Sequence, residues 1–103
     1  MIDLKILQEE TEAEIVLIAQ QNGTVIDSIN TKHAENIALM TESVMTMCND
    51  LLKDITQKDL KQLIARSNDY YIVINKLESN LMVLAVLTNP LKFGLVIKHM
   101  NSL

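Results

Sequence analysis

Residues 31–55 read TKHAENIALMTESVMTMCNDLLKDI, a run without Gly or Pro whose apolar residues recur at three- and four-residue spacing. Ala34, Ile37, Ala38, Thr41, Val44, Met45, Cys48, Leu51, Leu52 and Ile55 fall on one side of a 3.6-residue helix. At about 1.5 Å per residue the helix would be roughly 35–38 Å long, well beyond the globular mean of about 11–12 residues. Met40, Val44, Met47 and Leu51 form a second row beside the first, and the two rows span nearly half the circumference. A surface helix with one neighbour needs a stripe of little more than ~100°. The surplus predicts two neighbours: the chain's own sheet and something else. The opposite face carries Lys32, Glu35, Glu42, Ser43, Thr46, Asn49, Asp50 and Lys53, with Leu39 alone among them.

Upstream, residues 15–20 (IVLIAQ) are apolar on both faces, as a doubly covered central strand should be. Asn22-Gly23 is a hairpin turn signal, because both residues tolerate positive φ, and residues 24–29 return as a second strand. Thr31 is the expected N-cap of the long helix, with Asn30 the alternative. Residues 1–11 mix a strand-like alternation with a helical alignment of Leu4, Leu7 and Thr11, and are read as a short helix.

Downstream, residues 60–67, 70–76 and 81–87 read as three strands, with turns at Asn68-Asp69 and Glu78-Ser79-Asn80. The last of these strands is apolar on both faces and belongs, with the first, in the middle of the sheet. The strand at 60–67 carries Lys61, Gln62 and Arg66 and reads as an edge. Asn89-Pro90 opens a final helix: Asn suits the cap, and Pro suits the first helical position, where no N–H is needed. Phe93, Val96, Ile97 and Met100 share its inner face, and a close helix–sheet contact would explain Gly94 within it. The fold class is α+β: a five-stranded antiparallel sheet with the long helix on one face and the N- and C-terminal helices on the other.

The 103 residues suit one domain, 1–103, with one core. An apolar share of 49% against 21% charged residues is that of a globular protein. Net charge is −4 and Arg66 is the sole arginine, so there is no footprint for nucleic acid or an anionic membrane. The longest apolar run, residues 81–87, is far too short to insert into a bilayer. Cys48 reads as a small core residue, compatible with a reducing cytosol, and the acidic start lacks the features of a signal peptide.

Catalytic signatures are sparse. His33 and His99 have no partner at metal-ligand spacing. Ser28 and Ser43 lack a nucleophile-elbow context, and with only Gly23 and Gly94 there is no phosphate loop. Arg66 in an arginine-finger role competes with a simpler role as a charge guarding a sheet edge. Met45, Met82 and Met100 read as core, and Met40 and Met47 as interface. The expectation is a protein with no catalytic, cofactor-binding or metal site.

Two motifs in this order of elements resemble the Roadblock family, which includes dynein light chains of that type, prokaryotic polarity regulators and Ragulator components. The first is IVLIAQQNGTVIDSI (15–29); the second is VLAVLTNPLKFGLVIKHM (83–100). Ala13 stands where many members have Gly. The resemblance implies a non-enzymatic dimer in which the long helices lie side by side and the third strands pair edge to edge. It also implies that a small Ras-like GTPase is bound, or, as the alternative, a structural light-chain-type adaptor role in a motor or other assembly. A cytoplasmic, prokaryotic or archaeal setting goes with it.

The expected dimer interface is Met40, Val44, Met47, Leu51, Leu63 and Ala65, because an apolar row and an open edge left bare would invite aggregation. The expected partner surface in that dimer is Glu35, Asn36, Leu39, Glu42, Ser43 and Thr46. Leu39 reads either as an anchor for the partner or as an ordinary exposed side chain.

Overall fold

A computed structural model describes residues 3–78 and 80–103. Met1 and Ile2, assigned above to the first helix, and Ser79, assigned to a turn, lie outside the described residues. The elements in order are α1 (Leu4–Thr11), β1 (Ile15–Gln20), β2 (Val25–Ile29), α2 (Ala34–Thr56), β3 (Gln62–Arg66), β4 (Tyr71–Leu77), β5 (Leu81–Leu87), a 3₁₀ turn (Pro90–Lys92) and α3 (Phe93–Asn101). The strands form one antiparallel sheet in the order β2-β1-β5-β4-β3.

The alternation of side chains along each strand divides the core in two. Leu17, Ala19, Ile74, Met82 and Leu84 meet Ala38 and Met45 of α2 on one face. Val16, Ile18, Val73, Val83, Ala85 and Leu87 meet Leu4 and Leu7 of α1 and Val96 and Met100 of α3 on the other. The fold is therefore the α+β sandwich expected. β5 is the central strand, β1 lies beside it, and β4 is a third interior strand that the apolar pattern alone did not single out.

Several local expectations are corrected. Neither Thr31 nor Asn30 caps α2. Asn30 takes a left-handed conformation (φ 65°) as the chain leaves β2, and the Thr31 hydroxyl accepts the His33 N–H at 3.1 Å in a local turn. The helix begins at Ala34, with His33 in the cap position and no side-chain cap bond. On α2, Cys48, read as a core residue, is only half-buried.

β3 is shorter than predicted because Leu60 leaves the strand to bury itself beneath α2. Its N–H donates to Asn49 Oδ1 at 2.7 Å. Asn49 Oδ1 also accepts from Lys76 Nζ at 3.3 Å, so this residue of the polar face is turned inward as a tether. Gly94 faces open space, with nothing within 4 Å of an added Cβ, so no close contact accounts for it. Asn89 does cap the C-terminal helical segment, accepting the Leu91 N–H at 3.0 Å.

Candidate protein-interaction site

The surplus apolar row of α2 is real. Met40, Val44, Met47, Leu51 and Ile55 are all exposed, and Met47 reaches 71%. Their spacing of four, three, four and four residues lays them along one line of the helix. Beside this line runs an apolar groove of about 420 Å³ between α2 and the sheet. Met40 and Val44 wall it on the helix side, with Leu63 and Ala65 of β3 opposite and Ile72, Ile74, Leu84 and Val86 beneath. Four of the six expected interface residues thus border one groove. Met47 and Leu51 continue the row past its end.

The groove is bordered by β3, which among the described residues pairs with β4 alone and leaves its outer edge open. The sheet has a second free edge at β2, and the two differ. On β2 the register slips between Ile18 and Ala19, leaving Ile26 as an extra residue. Asp27 Oδ1 also takes up the Ser28 N–H at 2.8 Å. A bulge and a carboxylate that occupies a backbone donor both discourage strand addition. β3 pairs evenly with β4 over all five of its residues, and Ile64 stands at its centre, exposed. Ile64 was missed as a site residue, although the alternation within QLIAR places it on the face opposite Leu63 and Ala65.

The residues of the expected partner surface follow one another along α2 and border two separate hollows. Glu35 and Asn36 border a shallow hollow at the start of α2 with Lys32, His33 and Val25. Glu42 and Thr46, joined by a 3.0 Å hydrogen bond, border a small mixed cleft of about 100 Å³ with Gln21, Met45, Asn49, Lys76 and Met82. Leu39 lies between them and rests on Gly23. Ser43 is exposed.

On the other face, α3 is fixed by polar contacts that no local motif announces. Gln62 Nε2 donates to Asn75 Oδ1 at 3.1 Å and to Asn101 Oδ1 at 3.2 Å. Asn75 Nδ2 donates to the Met100 carbonyl at 3.0 Å. Lys92–Glu12 and His99–Glu10 contacts, at 2.9 and 3.1 Å, span α3 and the α1 end of the chain. Among the described residues no three His, Cys, Asp or Glu side chains gather into a possible metal site. No described helix is long and apolar enough to cross a membrane.

This architecture is that of known Roadblock-type structures. MglB of Myxococcus xanthus superposes with a TM-score of 0.80 at 16% identity, over 94% of this chain and 84% of that one. The gliding protein MglB of Thermus thermophilus gives 0.81 at 16% identity, over 94% and 78%. A Roadblock/LC7 domain from Streptomyces avermitilis gives 0.75 at 9% identity, over 98% and 97%. The chain has the Roadblock fold. No protein-family model matches the sequence, and no curated protein matches it.

Proposed function

We propose that residues 1–103 form one domain that acts as a non-catalytic homodimeric regulator or scaffold for a small Ras-like GTPase in the cytoplasm. The observation that carries the reading is the coincidence, on one side of the molecule, of an exposed apolar row, an apolar groove and a sheet edge left unpaired among the described residues. A two-fold copy that lays its own α2 beside this one would fill the groove, cover the row and extend the sheet together. One contact then removes three exposed liabilities that a soluble monomer would otherwise present.

The GTPase as partner comes from the resemblance of the two sequence motifs to the Roadblock family, supported by the likeness in fold. In the dimer, the polar face of α2 with Glu35, Asn36, Leu39, Glu42, Ser43 and Thr46 is the proposed docking surface.

Sedimentation at micromolar concentration tests the assembly, with about twice the chain mass expected. Co-elution with a Ras-like GTPase from the same cell, loaded in turn with GDP and with a GTP analogue, tests the partner. Binding that depends on the nucleotide supports the regulatory reading; stable capture into a large assembly regardless of nucleotide favours the light-chain-type adaptor instead.

A further inference from the structure

Resting on the dimer reading above, we propose that β3 pairs with its two-fold copy with Ile64 opposite Ile64. Arg66 of each protomer then donates to Gln62 of the other, at the C-terminal end of α3. The joint thereby ties the sheet edge of one protomer to the helix-anchoring amides of its partner.

The register follows from the backbone. The Lys76 N–H donates to the Lys61 carbonyl, and the Ser67 N–H to the Tyr70 carbonyl, each at 2.8 Å. Residues 61 and 67 therefore spend their backbone groups on β4. Antiparallel ladders alternate, so Leu63 and Ala65 do the same, and Gln62, Ile64 and Arg66 turn their N–H and C=O groups to the free edge. One antiparallel register pairs all three with the same three of a second copy: 62 opposite 66, and 64 opposite 64.

The side chains then meet as donor and acceptor. Gln62, Ile64 and Arg66 share the face that α3 covers, since Leu63 and Ala65 lie on the α2 face. The Gln62 amide nitrogen is engaged by Asn75 and Asn101. Its Oε1 accepts no hydrogen bond among the described residues. Arg66 places its guanidinium over the Tyr71 ring, 5.6 Å from the centroid, and Tyr71 packs against Phe93 at 5.2 Å. A cation–π contact occupies none of the guanidinium N–H groups, and the Arg66 side chain donates no hydrogen bond among the described residues. A donor-only group thus stands opposite an unused acceptor, twice, about the axis. Paired residues of this kind sit about 5.5 Å apart at Cα, within reach of both side chains. Gln62 also belongs to the amide cluster at the C-terminal end of α3, the end of a helix that favours a cation.

On the opposite face the same register sets Leu63 against Ala65 in a close, non-hydrogen-bonded pair, about 4.5 Å at Cα, where a disulfide fits. With Cys48→Ser as background, Leu63→Cys and Ala65→Cys chains are mixed and oxidised. A mixed 63–65 disulfide, identified by mass, is expected, with neither variant linking to itself. Self-linkage of one variant, or no linkage in a protein that sediments as a dimer, overturns the register. A monomer by sedimentation overturns the dimer reading beneath it.

The second measurement addresses the bond itself. Arg66→Met keeps the apolar stem on Tyr71 and removes every donor. It is expected to raise the dimer dissociation constant roughly tenfold or more, with Arg66→Lys recovering part of the loss. An unchanged dissociation constant overturns the Arg66–Gln62 contact.

Discussion

Leu39 lies across Gly23: a Cβ built on Gly23 would stand 3.0 Å from Leu39 Cδ2 and 3.6 Å from Leu39 Cα. The helix and the β1–β2 turn meet closely here, and an added methyl would have to push the end of the Leu39 side chain aside by a few tenths of an ångström. Gly23 also holds φ at +93°, a conformation that side-chain-bearing residues rarely adopt. Gly23→Ala breaks both conditions and should cost about 1–2 kcal/mol. A urea titration should show a lower midpoint at unchanged slope; an unmoved midpoint would mean that the hairpin can lift off α2 freely.

The same contact changes what a test of Leu39 must look like. Leu39 remains about half exposed, so it is available to a partner, but it also covers a turn of its own protomer. Leu39→Asp should weaken GTPase binding by more than ~1 kcal/mol, with a stability loss of a few tenths of a kcal/mol from the uncovered turn. Titration calorimetry against the partner separates the two effects, with Gly23→Ala as the control for the turn alone. Wild-type affinity in Leu39→Asp would move the recognition surface elsewhere. Leu91, 88% exposed beside α3, is the next candidate.

The purified chain should neither bind nor hydrolyse GTP. It has two glycines, neither in a phosphate-loop pattern, and its single arginine lies over the Tyr71 ring, 5.6 Å from the centroid. Equilibrium dialysis with labelled nucleotide checks this. Saturable binding at micromolar nucleotide would assign the chain an activity of its own.

The parts of the fold written in periodicity were legible. Leu4, Leu7 and Thr11 are buried along α1, β1 and β5 are covered on both faces, and Met45, Met82 and Met100 are core. The exposed row of α2 was legible for the same reason: it is a surplus over what one sheet can cover. What stayed hidden depends on residues that meet only after folding. Asn49 sits among polar neighbours in sequence, and only the approach of Leu60 and Lys76 turns it inward. Gln62, Asn75 and Asn101 are separated by 13 and more positions, and a lone amide carries no signal of its partners. The start of α2 was misplaced because Thr31 spends its hydroxyl on a turn that closes before the helix begins.

Asn49 supplies a stability test of that hidden layer. Its Oδ1 accepts from the Leu60 N–H and from Lys76 Nζ, fixing the segment that leads from α2 to the edge strand. Asn49→Ala leaves a part-buried N–H without a partner and should cost about 1–2 kcal/mol. Asn49→Asp retains the acceptor and adds a charge beside Lys76, and should lose less. Chemical unfolding of both variants ranks them; equal losses would show that the acceptor is not what holds Leu60.

Met47 is the position where dimer and protomer can be told apart. Within the protomer its side chain is 71% exposed, so Met47→Glu removes little internal packing, and a glutamate on an exposed helix face is well tolerated. In the proposed dimer the same side chain faces the other α2, and the symmetry places two glutamates in one dry contact. Each would be buried without a partner charge, and the two would repel, which costs several times what the lost methionine contact is worth. Met47→Glu should therefore sediment as a folded monomer, with the circular dichroism of the wild type and a Tm that no longer depends on protein concentration. Met47→Leu should remain a dimer. Ile26→Glu provides the matched control: Ile26 is also an exposed apolar residue, but it sits on β2, the edge where the bulge and Asp27 discourage strand addition. Its substitution should leave the dimer intact. A Met47→Glu protein that still sediments at twice the chain mass would show that the α2 row is not the surface two copies share, and a dimer lost on Ile26→Glu would move the joint to the other edge of the sheet.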